Sequence, residues 1–309
     1  MKVQMKKLSR VSLVLLLLGV CSMQTLYAQD FQFRARGDKN QRLTYVLGQT
    51  VEATVSIRLR HRGPAVDYFV TANAGQHAGG DVQNRRAVST EGNVLRYQVY
   101  DGSGSILSTT NGITGSFPQS TGGGWQETTI EIPLQLLPSE FPPAGEYTDT
   151  FALELYIGDS ATGTPEETEE INVTVTMPEI VDLQVGPPGA SYGSFGRTYS
   201  ISIDPALPGM GDGADLLVLA NTGFALEVSS DNGGVLRIGG LEDTLPYRFR
   251  FNGSWITIGG TGSFRITGTE PPTGIGGRSY SFFAEIEYYD TLPAAGNYTD
   301  VLNFTVVAP

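Results

Sequence analysis

Cysteine is almost absent from this 309-residue chain, which holds one, Cys21. Histidine is nearly as scarce, with His61 and His77 the whole supply. Positive charge is in deficit, 20 Lys and Arg against 32 Asp and Glu. One apolar run stands out, Val11–Val20, and it is too short to span a bilayer. A convincing helical stripe is also missing; Ala214–Ala220 comes nearest and is short enough to be a strand.

Each shortage excludes something. Lys2, Lys6, Lys7 and Arg10 precede the apolar run and a polar stretch leads to Ala28, the layout of a secretory signal peptide over 1–28. Cys21 falls inside it. A lipidated cysteine would need a small residue in front, where Val20 stands, so simple export is the expectation. The exported chain then has no thiol for a disulfide, a nucleophile or a zinc–thiolate site, and must fold on packing alone. Removing the leader leaves 16 basic residues against 32 acidic, a net charge of −16 that disfavours nucleic acid and anionic membranes.

With two histidines, general-base or metal chemistry would have to come from carboxylates. His61, in Arg58-Leu59-Arg60-His61-Arg62, reads as a charged strand end. Gly189-Ala190-Ser191-Tyr192-Gly193 spells G-x-S-x-G, yet no histidine follows residue 77 to serve as its partner. Asp204, Asp212 and Asp215 sit in a Gly/Pro-rich segment with no EF-hand spacing and read as solvated acids. No catalytic, cofactor or metal site is expected, and the chain reads as a non-enzyme.

Glycine is abundant, at 39 residues, and the chain is 40% hydrophobic. Segments rich in β-branched and aromatic residues recur between Gly, Pro, Asn and Asp clusters, among them Val51–Arg60, Leu95–Tyr100, Thr129–Leu136, Tyr147–Ile157, Ile171–Thr176, Tyr199–Ile203, Tyr247–Phe251, Ser281–Tyr288 and Tyr298–Val307. The expected class is all-β, two immunoglobulin-like β-sandwich domains.

A repeat supports two domains. Pro143-Ala144-Gly145-Glu146-Tyr147-Thr148-Asp149 returns 151 residues later as Ala294-Ala295-Gly296-Asn297-Tyr298-Thr299-Asp300, sharing A-G-x-Y-T-D. Leu95-Arg96-Tyr97 answers Leu245-Pro246-Tyr247 at nearly the same offset. The boundary falls near Pro178, giving domains at 29–178 and 179–309. The motif has the layout of a tyrosine corner, in which Tyr147 and Tyr298 bond back to the preceding turn and Gly145 and Gly296 supply its permissive backbone.

The copies differ after the motif. Copy one runs 29 residues past Asp149 to Pro178, enough for a second strand at Ile171–Thr176; copy two has nine residues past Asp300. The C-terminal domain is therefore expected to lack its last strand. That leaves unpaired main-chain groups and an apolar groove beside Tyr298–Val307, lined by Tyr298, Leu302, Phe304 and Val306, which a strand from another chain would fill. A bulge or a register shift is expected at Val301, where the alternation breaks.

Ala295-Gly296-Asn297-Tyr298-Thr299-Asp300-Val301-Leu302-Asn303-Phe304-Thr305-Val306 resembles the C-terminal end of spore coat protein U-like domains, the pilins of the archaic chaperone–usher pathway. The resemblance covers roughly the last 25 residues of each copy. It implies an incomplete immunoglobulin-like fold, held in the periplasm by a chaperone strand and completed by the N-terminal extension of the next subunit. The implied partners are a periplasmic chaperone, an outer-membrane usher, a neighbouring pilus subunit and a host or surface ligand, and the implied destination is the cell surface. Two domains, with an adhesin-like first one, imply a fimbrial tip subunit. Many members carry a disulfide, which this chain cannot form.

Phe31, Phe33 and Ala35 alternate with polar residues and suit either a donor strand or an ordinary first strand; the short distance to Leu43–Val46 favours the latter. Trp125, after the loop-like Ser116–Gly124, is the candidate adhesive residue, whereas Trp255, beyond the Asn252-Gly253-Ser254 turn, is expected in the core. The competing reading is a secreted carbohydrate-binding or polysaccharide-processing β-sandwich.

Overall fold

Burial alternates residue by residue along Val51–Arg62, as a period-two pattern requires when one face of a sheet is covered. The same alternation recurs through a computed structural model that describes residues 30–307 apart from 36–38, 121–123, 205, 208, 239–242 and 290–292. The segment 1–28, expected to be a signal peptide, lies outside the described residues. Among the described residues there is no α-helix, only a 3-10 turn at Val82–Asn84.

The first ten strands are β1 (Asp30–Ala35), β2 (Asn40–Thr44), β3 (Val51–Arg62), β4 (Val66–Ala72), β5 (Arg86–Val88), β6 (Val94–Val99), β7 (Ile113–Phe117), β8 (Gln126–Leu136), β9 (Gly145–Ile157) and β10 (Glu167–Met177). They form two layers, β1-β3-β8-β6 and β7-β4-β9-β10-β2, with β5 bridging β6 and β9. Ile57, Leu59, Leu95, Tyr97, Leu134, Phe151, Leu153, Ile171 and Val175 fill the space between them, each at most 1% exposed.

The second ten are β11 (Val181–Gly186), β12 (Gly211–Ala220), β13 (Ala225–Ser230), β14 (Val235–Ile238), β15 (Thr244–Phe251), β16 (Ser254–Ile256), β17 (Phe264–Arg265), β18 (Arg278–Ile286), β19 (Tyr298–Thr299) and β20 (Leu302–Val307). Here the layers are β11-β12-β18-β15-β14-β19, with β16 on β15, and β17-β13-β20. A separate core of Val218, Phe224, Leu226, Phe249, Phe282 and their neighbours lies between them. The architecture is all-β, with two immunoglobulin-like sandwiches in series.

The layers correspond strand for strand: β3 with β12, β4 with β13, β8 with β18, β6 with β15, and β9 with β19 and β20 together. Ala214–Ala220, the nearest approach to a helix in the sequence, lies within β12. Three expectations are corrected. Tyr199–Ile203 forms no strand, although Ile201 and Ile203 still pack on the second core. Tyr298–Val307 is not continuous: it divides between β19, paired with β14, and β20, paired with β13. The break has a local cause, since the Asp300 carboxylate accepts the Val301 and Asn232 amides and Val301 turns outward, 53% exposed. His61 is no charged strand end but fully buried between the Phe31 and Phe117 rings, donating from Nε2 to Pro64 O at 2.8 Å in the tautomer that pairs them. The edge strand β1 covers the outer end of β3, which the local sequence does not reveal.

The two sandwiches meet at Asn221, 1% exposed. Its side chain accepts the Ile180 amide at 2.7 Å and donates to Pro178 O at 2.8 Å, while its carbonyl accepts the Ala144 amide at 3.1 Å. The corner turn of the first copy is thereby pinned to the second.

Candidate functional site

A covered copy and an uncovered copy of one strand lie in the same molecule. In the first sandwich β10 runs antiparallel to β9 over eleven positions, from Glu167 opposite Leu155 to Met177 opposite Gly145, and parallel to β2 on its other side. Its inward residues Ile171, Val173, Val175 and Met177 are at most 1% exposed. In the second sandwich β20 pairs with β13, and among the described residues no strand occupies its other edge. The segment bearing Ile201 and Ile203 packs on the same core without a ladder. The outer edge of β20 is thus without a ladder partner among the described residues, where β9 has β10 in the first copy.

The side chains of β20 match that backbone arrangement. Leu302, Phe304 and Val306 pack on the second core but stay half-buried, whereas their counterparts Phe151, Leu153 and Leu155, under β10, are at most 1% exposed. Phe304 meets Phe282 edge-on at 5.5 Å between centroids and Phe249 at 6.1 Å. Of the four residues expected to line a groove, these three share one face. Tyr298 sits apart on β19, where its hydroxyl donates to Ala294 O at 3.1 Å. Tyr147 makes the same bond to Pro143 O at 2.7 Å. The two glycines act differently: Gly145 has φ +150°, while Gly296 leaves room for Ile238, whose Cδ1 any Cβ there would strike.

The repeat also carries a polar pair that sequence reasoning did not single out. Tyr97 donates to Asp149 Oδ2 at 2.7 Å and Tyr247 to Asp300 Oδ2 at 2.6 Å. Each carboxylate also accepts a backbone amide from the loop after the β4-type strand, Gln76 N at 3.0 Å and Asn232 N at 3.0 Å. All four partners lay inside the two repeated blocks, so the signal was present. Burial, then the neighbouring carboxylate, raises both phenol pKa values. Burial likewise raises that of Asp149, against the bonds it accepts. Beneath Tyr97, the fully buried Arg85 donates to the carbonyls of Asn73, Ala72 and Leu107, and burial lowers its pKa to about 10.

Trp125 is half-buried, with the Arg60 and Arg62 guanidiniums 5.0 and 5.1 Å from its ring. Trp255 is not a core residue: it is 46% exposed on β16, because position two of a three-residue hairpin strand faces away from the sandwich. The turn before it has positive φ at Asn252 and Gly253, as a type I′ hairpin demands. Phe31–Ala35 form β1, laddered to β3 from Asp30 opposite Arg62 to Ala35 opposite Ile57. Asp204 lies in a loop, but Asp212 and Asp215 stand on β12. Among the described residues no group of three or more His, Cys, Asp or Glu could hold a metal ion.

Comparison with known proteins places a Spore Coat Protein U domain in the N-terminal half, where the family model matches residues 21–154. No curated protein sequence matches the chain. Among solved structures, the chaperone–tip adhesion subunit pre-assembly complex of the archaic Csu pili of Acinetobacter baumannii is similar at 12% identity, TM-score 0.43, over 90% of this chain and 99% of that one. The CupB6 tip adhesin of Pseudomonas aeruginosa is similar at 14% identity, TM-score 0.38, over 90% and 93%. The CooA pilin subunit of enterotoxigenic Escherichia coli is similar at 15% identity, TM-score 0.33, over 48% and 97%.

Proposed function

We propose that this chain, which carries a Spore Coat Protein U domain, is an exported, non-enzymatic subunit of a chaperone–usher pilus, completed by a strand from another protein and standing at the fimbrial tip. The observation that carries the reading is the unpaired edge of β20 over only partly buried Leu302, Phe304 and Val306, set against the filled position of β10 in the first copy. A periplasmic chaperone would occupy the edge in transit and a neighbouring subunit afterwards, with an outer-membrane usher between the two steps. A tip position is favoured because the residues best suited to be a donor, Phe31–Ala35, are committed to β3 of their own sandwich. Such a subunit receives a strand and gives none. The first sandwich, with Trp125 on its surface, would face the host or another surface.

The test is co-expression of the exported chain with and without a periplasmic chaperone of the archaic chaperone–usher type. A stable complex with the chaperone, and degradation or aggregation without it, is the expected result. A protease-resistant monomer that needs no partner would overturn the reading.

A further inference from the structure

On the first sandwich, the outer face of β1, β3 and β8 gathers arginine. Even-numbered positions of β3 point outward, so Arg58, Arg60 and Arg62 stand on one side of the strand, across about 13 Å of its length. β1 sets Arg34 directly opposite Arg58 and Asp30 opposite Arg62, and β8 sets Glu127 opposite Arg60. Four of the 16 basic residues expected in the exported chain thus share one face of a protein whose net charge is −16. The face lies away from the second sandwich: Thr44 pairs with Thr176 beside the junction, β3 starts there at Val51, and it ends at Arg62.

Acceptors for these guanidiniums are few. Arg62 donates to Asp30 Oδ2 at 3.0 Å. Arg58 and Arg60 share one carboxylate, Glu127, at 3.8 and 3.5 Å, longer than a hydrogen bond, and Arg60 Nε is buried without a partner among the described residues. Glu131, further along β8, accepts the Ser56 hydroxyl at 2.8 Å. Arg34 is exposed and has no ion pair among the described residues. Its place opposite Arg58 costs stability, because like charges facing each other on neighbouring strands repel. Trp125 lies 5.0 Å from the Arg60 guanidinium and 5.1 Å from that of Arg62, a contact that orients both groups without using their N–H donors.

Three guanidiniums short of acceptors select an oxyanion, which each receives as a planar fork. A single small anion would occupy one fork, whereas the row crosses two strands and suits several anionic groups carried on one chain. A nucleic acid packs its charges so densely that the field of an acidic protein opposes it; an acidic polysaccharide presents its carboxylates or sulfates one sugar at a time. We infer that the outer face of β1, β3 and β8 binds an acidic polysaccharide, whose carboxylate or sulfate oxygens accept from Arg34, Arg58 and Arg60. The inference rests on the reading above for turning this sandwich toward a surface, but the binding itself needs no pilus and is independent of how β20 is completed.

Interferometry on the full exported chain, alone or in its chaperone complex, tests this with polygalacturonate, heparin, dextran and single-stranded DNA as probes. At least one of the two acidic polysaccharides is expected to bind, more tightly than DNA and with dextran inert, and the affinity should fall between about 50 mM and about 300 mM salt. Arg34→Gln and Arg58→Gln should each weaken binding about fivefold with the thermal transition unmoved, and Glu127→Gln, which removes the shared carboxylate, should tighten it. Arg237→Gln, an exposed change of the same charge on β14 of the second sandwich, should leave binding intact. Binding of neither acidic polysaccharide at the lower salt overturns the inference. So does binding that Arg34→Gln and Arg58→Gln leave unchanged, or DNA or dextran bound as tightly as the acidic polysaccharides. A chain that binds neither acidic polysaccharide yet still forms its chaperone complex overturns this inference alone and leaves the pilus reading standing.

Discussion

Tyr97 donates its hydroxyl to Asp149 Oδ2 at 2.7 Å across the core of the first sandwich. The tyrosine comes from the middle of β6 and the aspartate from the start of β9, so the bond ties the two layers together. Its repetition at Tyr247 and Asp300 marks it as part of the duplicated plan rather than an accident of one copy. The copies differ in cover, since Asp149 is 3% exposed and Asp300 is half-buried.

Burial gives Asp149 a folded-state pKa above its unfolded value. Between those two values the folded state holds more protons than the unfolded one, so this group's contribution to stability falls as pH rises through the window and is flat above it. Asp149→Asn should therefore remove a component of stability that grows on acidification. Denaturant midpoints of the two proteins from neutral pH down to about pH 4, near the ordinary carboxylate range, would measure it; parallel curves would contradict it.

Asn221→Ala strands the Ile180 amide and Pro178 carbonyl at the junction. Leaving a buried backbone donor unpaired costs about 1–3 kcal/mol, and the loss falls on the contact between sandwiches rather than on either core. The expected outcome is faster proteolysis near Pro178 and two calorimetric transitions drawn further apart, with Tyr97 and Tyr247 as buried as before.

Strand positions and the duplicated corner were legible in the sequence because period-two alternation and turn chemistry are local. What covers each outward face is not local. His61 and Arg85 are polar residues in strand-like or loop-like surroundings, and only the arrival of β1 over one and of the Ala72, Asn73 and Leu107 carbonyls around the other buries them. Trp255 failed the opposite way: a large aromatic next to a turn suggests core, but its place opposite Arg250 puts it outside. The candidate groove residues were named from the sequence because the two copies could be compared in length.

Tyr147→Phe should cost the first sandwich about 0.5–1.5 kcal/mol, the net worth of one hydrogen bond, because its bond to Pro143 O is short and the ring is fully buried. Tyr298→Phe should cost less, with a 3.1 Å bond on a half-buried ring that water reaches. Chemical denaturation of the pair of variants gives the comparison; equal losses would mean that burial does not set the value of the corner.

The unpaired edge of β20 makes the strongest demand. Phe151→Ala should cost the first sandwich about 3–5 kcal/mol, as for a fully buried phenylalanine. Phe304→Ala should cost the second sandwich clearly less, because the side chain is only partly buried, and should approach the larger figure once a strand covers it. That strand can be supplied from the chain itself. In the first copy β9 turns through Gly158–Glu166 into β10, and Val307 occupies the position of Tyr156. Appending a second copy of residues 157–177 after Val307 should therefore lay Ile171, Val173 and Val175 equivalents into the gap, opposite Leu302, Asp300 and Tyr298, by the register of β10 on β9. The expected result is a higher melting temperature for the second sandwich, slowed exchange of the β20 amides, and loss of chaperone binding. An appendage with the apolar and polar positions interchanged, which turns every side chain to the wrong face, should do none of these. Equal effects from both appendages, or no protection of the β20 amides by the matched one, would show that the edge is closed without a donated strand.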